Sequence, residues 1–128
     1  MTPRALLLVG LGGALGAIAR FVVANLVAGW LGTAWPWGTF LINVSGCFAI
    51  GAFMTAVTER LVALPEAWRF LFPIGFVGAY TTFSTFEYET ALLVERGAWP
   101  RALGYVLASI VTGFLAVAAG TALARRFL

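Results

Sequence analysis

The chain contains no Lys, no Asp and no His, and a single Cys, Cys47. Without His or Asp, no Ser-His-Asp triad can be assembled. One Cys without His excludes a disulfide framework and leaves no transition-metal ligand set. Charge of either sign is scarce: 10% of the 128 residues are charged and 62% are hydrophobic, whereas a soluble domain carries about 25% charged residues. That balance defines an integral membrane protein, read as one domain over residues 1–128. The net charge is +3 and all eight cations are Arg. They are scattered at segment ends, as flanks of membrane helices are, so no nucleic-acid partner is expected.

A membrane-crossing helix needs about 20 mostly apolar residues. Four segments qualify: Arg4 to Leu31, Trp37 to Thr58, Arg69 to Val94 and Ala102 to Ala124. All five tryptophans (Trp30, Trp35, Trp37, Trp68 and Trp99) fall at or near their boundaries, where amphipathic rings settle among headgroups. The small-x-small run Ala17-Ile18-Ala19 imitates a signal cleavage site, but apolar character resumes at Phe21, and an uncleaved first helix is expected. Arg4, Arg60, Arg69, Arg125 and Arg126 would lie on one side and Arg96 and Arg101 on the other. That bias is modest, and it favours cytoplasmic termini.

The stretch Gly75 to Glu89, G-F-V-G-A-Y-T-T-F-S-T-F-E-Y-E, departs from an ordinary membrane helix. Polar groups at membrane depth are tolerated where protein buries them or where they line a wet path. Pro73, Gly75, Gly78 and Thr81-Thr82 predict a helix break. A break frees backbone carbonyls and creates a new helix N-terminus, for which Thr82 or Ser84 is a candidate cap. Phe83 and Phe86 share a face, with Ser84 and Thr85 between them. The pair is either core or the lining of a path, where electropositive ring edges would flank a small anion. Glu87 and Glu89 point apart on a helix and cannot form a catalytic dyad.

Elsewhere, Gly10, Gly12, Gly13 and Gly16 are off the dinucleotide-binding pattern and predict a smooth packing face, with Gly12 and Gly16 as a small-xxx-small pair. Arg20 lies deep in the first segment; its alternatives are an ion pair with Glu89 or snorkelling to the interface. Thr39 and Asn43 share a face of the second segment, and the Asn43 amide either glues helices or presents itself to a permeant species. Tyr105, Ser109 and Thr112 make one polar stripe on the fourth segment, either extending a track or satisfying local groups. Neutral donors, phenyl edges and one arginine suit a small anion. Four helices offer little interior, so a homodimer is expected.

At W-P-W-G-T-F-L-I-N-V-S-G and G-F-V-G-A-Y-T-T-F-S-T-F-E-Y-E-T the chain resembles the small bacterial fluoride channels, the Fluc/CrcB family. The resemblance spans nearly the whole chain, from the glycine-rich first helix with Arg20 to the fourth helix with Tyr105 and Ser109. It implies an all-α membrane protein of four transmembrane helices, with a break in the third, assembled as an antiparallel dual-topology homodimer with two pores. It implies passive fluoride export across the bacterial inner membrane, among membrane lipids, and no enzymatic activity. By the same resemblance Asn43 is the pore amide, Phe83 and Phe86 are the ring pair, and Thr39, Ser84, Thr85, Tyr105 and Ser109 line the path. Backbone carbonyls of Gly78 and Thr81 would hold a structural sodium ion at the dimer interface, and Arg20 and Glu89 are charges at the pore mouths. The chain departs from some members one turn beyond Ser109, where it has Gly113 rather than a second serine.

Two other functions fit a small four-span protein. A multidrug or cation exporter of this size works through a carboxylate in its first helix, where this chain has Arg20 and no acid. A non-transporting assembly protein would use the same polar residues only to hold helices together, and would show no ion flux.

Overall fold

A computed structural model describes residues 2–128. It is all helix, with no strand among the described residues. Helix α1 (Pro3–Leu31) begins at Thr2, whose hydroxyl accepts the Ala5 N–H at 3.2 Å, with Pro3 in the first turn. It stops at Gly32, whose φ of +74° suits a residue without a Cβ. Helix α2 (Trp37–Thr58) follows after a short bent loop.

The third apolar segment is not one helix. A single turn, α3 (Ala67–Arg69), widens into a π-helix (Phe70–Val77), and a second short turn, α4 (Gly78–Tyr80), ends at Thr81. Pro73 lies inside the π-helix and has no N–H for an ordinary helical bond. After the break, α5 (Phe83–Glu95) runs to a tight turn, and α6 (Trp99–Phe127) returns alongside it. The fourth segment therefore starts three residues before the expected Ala102, with Pro100 in its first turn.

Three helices, α1, α2 and α6, are each long and apolar enough to cross a membrane. Their large apolar side chains point outward, among them Leu7, Phe21, Ile110 and Phe114. Buried residues include polar Thr39, Thr55 and Thr82 and a small cluster of Phe86, Leu93, Ala102 and Tyr105. An apolar exterior around a partly polar interior is the arrangement lipid demands.

Backbones approach closely at two seams. A Cβ on Gly12 would sit 2.0 Å from the Leu71 carbonyl oxygen, and one on Gly16 would sit 2.2 Å from that of Phe76. The glycine face of α1 is therefore the seat of the π-helix. On the other side α2 meets α6, where Gly51 faces Val117 and Gly120 faces Phe48 with similarly little room. Glu59 and Arg125 close that seam at its end with an ion pair of 2.6 Å.

Candidate functional site

The break lies at Thr81 (ψ 157°) and Thr82 (φ −150°, ψ 117°), both extended. Asn43 on α2 meets it with both halves of its amide. Its Nδ2 donates to the Thr82 carbonyl at 3.0 Å, and its Oδ1 accepts the Thr82 N–H at 2.8 Å. The reversed amide would set donor against donor, so this pairing also fixes its orientation. Thr82 caps α5, its hydroxyl accepting the Thr85 N–H at 3.3 Å and donating to Thr85 Oγ1 at 3.0 Å. Ser84 Oγ lies 3.4 Å from the same hydroxyl.

These diversions have a consequence for the carbonyls. In a continuous helix the Thr82 N–H would serve Gly78 and the Thr85 N–H would serve Thr81. The first goes to Asn43 and the second to the Thr82 side chain. The Gly78 and Thr81 carbonyl oxygens thus lose their helical donors at the C-terminal, electronegative end of α4. Oxygens of this kind suit a hard cation such as sodium. No cluster of three or more His, Cys, Asp or Glu side chains exists among the described residues.

Arg20 and Glu89 do not pair. Arg20 reaches the break instead, its Nη1 lying 3.5 Å from the Thr81 carbonyl oxygen. Glu89 accepts from Thr39 Oγ1 at 2.9 Å through Oε1 and from the Tyr105 hydroxyl at 2.8 Å through Oε2. The six steps from Phe83 to Glu89 span about 9 Å of α5, and the extended Thr81 and Thr82 precede them, which sets the two charges at different depths.

Phe83 and Phe86 lie together, with ring centroids 5.9 Å apart. Phe86 is buried, whereas Phe83 is 73% exposed. The Phe86 ring meets Tyr105 edge-to-face with centroids 5.0 Å apart, and Trp35 meets Tyr105 in the same way at 5.1 Å. Tyr105 is fully buried. One turn along α6 from it, the Ser109 hydroxyl oxygen is buried with no hydrogen-bond partner among the described residues. Thr112 leaves the stripe, because its hydroxyl donates to the Ala108 carbonyl of its own helix at 2.5 Å. Gly113, one turn beyond Ser109, has no side chain to extend the stripe, and a Cβ there would rest 3.5 Å from Cys47 Sγ.

The structure therefore brings together Asn43, Thr82, Ser84 and Thr85 at the break, and Thr39, Phe86, Glu89 and Tyr105 beside it. Two contributions escape sequence reading: the backbone of Thr82 as the partner of Asn43, and Trp35 as a wall of Tyr105. The W-P-W-G string flags an aromatic-rich loop end, but nothing in it says that Trp35 packs on Tyr105.

A protein-family model described as CrcB-like protein, Camphor Resistance (CrcB), matches residues 7–121. A protein of Solibacter usitatus (strain Ellin6076) named "Fluoride-specific ion channel FluC" is 47% identical over 120 residues, covering 94% of this chain and 98% of that one. The protein of the same name from Acidobacterium capsulatum is 48% identical over 120 residues, covering 94% and 95%. A third, from Phenylobacterium zucineum (strain HLK1), is 44% identical over 123 residues, covering 96% and 97%.

Proposed function

Because this chain belongs to the CrcB-like family, we infer that it is a fluoride-specific ion channel, a multi-pass membrane protein that conducts fluoride passively and catalyses no reaction. The bacterial inner membrane is its proposed location, and lowering of cytoplasmic fluoride its proposed purpose.

The observation that carries this reading beyond the family is the Ser109 hydroxyl. A buried polar atom without a partner costs about 1–3 kcal/mol, and this one lies one turn along α6 from Tyr105, whose own hydroxyl is bonded to Glu89. A desolvated fluoride supplies the missing acceptor. The other donors follow the same logic. Ser84, Thr85 and the second hydrogen of the Asn43 amide replace water around the ion, and the edges of Phe83 and Phe86 flank it without gripping it. No ring of cations lies along this line to trap the ion, so it leaves as readily as it enters.

A second copy of the chain completes the proposed assembly. The largely exposed Phe83 ring and a groove of about 400 Å³, bordered by Asn43, Gly46, Cys47, Gly78 and Thr81, support a partner on this face. In the proposed form, α3 to α5 act together as the third, discontinuous span. Two copies insert in opposite orientations, lipids cover the apolar exterior, and two pores run along the interface. The modest arginine asymmetry is compatible with that dual topology. The Gly78 and Thr81 carbonyls of both copies would hold the sodium ion, which when bound supplies positive charge between the two breaks.

The test is efflux from liposomes containing the purified protein, followed with a fluoride electrode, with chloride measured in parallel. Fluoride release with negligible chloride release supports the reading. No release above protein-free liposomes, from folded protein, overturns it in favour of an assembly protein.

A further inference from the structure

A cavity of about 230 Å³ opens between the C-terminal end of α1, the loop before α2 and the end of α5. Thr39, Glu89, Trp35, Trp37, Leu92 and Arg96 are among its lining. Thr39 and Glu89 bond each other, Glu89 bonds Tyr105, and Tyr105 touches Phe86. A chain of direct contacts thus links the lining of this cavity to the buried Tyr105 and Phe86, on the side away from the break.

A mouth there has the wrong sign for an anion unless something corrects it. Glu89 brings a carboxylate, and the C-terminal carbonyls of α5 bring the negative end of a helix dipole. Arg96 is the one cation among the residues lining the cavity. It forms no ion pair among the described residues. Seven residues separate it from Glu89 on one helix face, about 10 Å along the axis. At that spacing the two charges act on the same small volume without neutralising each other in a direct contact.

The backbone holds Arg96 in place. It is the C-cap of α5, and the next residue, Gly97, has φ +73°. The Ala98 N–H donates to the Leu93 carbonyl at 2.9 Å and the Gly97 N–H to that of Val94 at 2.9 Å, the bond pair of a Schellman motif. The adjacent Glu95 is not among the residues lining the cavity.

We propose that Arg96 is the anion-collecting residue of this mouth, raising the local fluoride concentration where Glu89 and the α5 dipole would otherwise repel it. It is a positioning and capture charge that the ion passes, set far enough from the Tyr105 region to leave the pathway free. The inference rests on the fluoride-channel reading.

The experiment compares initial fluoride efflux from liposomes holding wild-type protein, Arg96→Lys, Arg96→Ala or Arg96→Glu, at low ionic strength and again in concentrated sodium gluconate. Retained size-exclusion profiles match the folded dose. At low ionic strength Arg96→Ala lowers efflux about three-fold or more and Arg96→Glu lowers it further, while Arg96→Lys stays near wild type. Concentrated salt shrinks these differences, because a field acting through water is screened. Unchanged efflux in Arg96→Glu, or a loss of equal size at both salt concentrations, overturns the assignment while wild-type efflux leaves the channel reading standing. Absence of fluoride release from wild type as well removes both.

Discussion

Two regions of this molecule are assembled by opposite means. Where α1 meets the π-helix, contact is dry and backbone to backbone, with Gly12 and Gly16 set against the Leu71 and Phe76 carbonyls. Where α2, α5 and α6 meet around Tyr105, contact runs through hydroxyls, a carboxylate and an amide, and one buried hydroxyl is left without a partner. In lipid, close packing of small residues is a principal source of helix association. The first region can therefore hold the fold while the second keeps polar groups available to a passing ion.

Breaking the dry seam should have the largest effect. In Gly16→Val the new side chain meets backbone, which cannot rotate away, and overpacking of this kind costs typically about 1–3 kcal/mol or more. Loss of the folded peak in detergent size exclusion is expected, whereas Gly10→Ala, which meets nothing within 4 Å, should match wild type. Folded, fully active Gly16→Val protein would show that the seam is looser than described.

Damage to the polar region should separate flux from folding. Asn43→Asp keeps the acceptor for the Thr82 N–H but turns an oxygen toward the Thr82 carbonyl, where a donor is needed. Fluoride efflux should fall about ten-fold or more, because a charge-bearing oxygen repels both that carbonyl and the ion, with thermal stability down by about 1–3 kcal/mol. The dry seams leave the protein folded. Efflux equal to wild type would place the ion's path elsewhere.

The smallest effect belongs to the far end of the α2–α6 seam. Arg125 donates to Glu59 and holds its carboxyl below the usual carboxylate range. The folded state thus favours the charged form. Its contribution is present above the unfolded carboxylate pKa of about 4.3 and is lost as pH falls through the lower folded value. The pair is exposed and its effect slight. Melting midpoints of wild type and Glu59→Gln should differ a little at neutral pH and converge at acid pH; a gap that widens on acidification would contradict the pairing.

Much of the architecture was readable because it follows from length and local chemistry. The bounds of α2 are those of its apolar run, the glycine face of α1 packs as small residues do, and the break falls where Thr81 and Thr82 were expected to interrupt the helix. What escaped depends on azimuth and on backbone. Residue counting does not show that Arg20 and Glu89 reach different depths, nor which neighbour each one faces, and the expected pair gives way to Thr81 on one side and to Thr39 with Tyr105 on the other. Thr112 has the spacing of the polar stripe, yet its hydroxyl folds back on its own helix. The π register around Pro73, packed on the glycine face of α1, also has no separate signature in the sequence.

The most direct measurement is fluoride efflux from Ser109→Ala set beside its thermal melting. Removing a buried hydroxyl with no partner should leave the melting midpoint unchanged or slightly higher, because no protein hydrogen bond is lost. If fluoride takes that hydroxyl as a donor on its way through, efflux falls several-fold at equal folded dose. Unaltered efflux with an unaltered midpoint would mean that the ion never meets Ser109, and that the polar interior around Tyr105 is not its path.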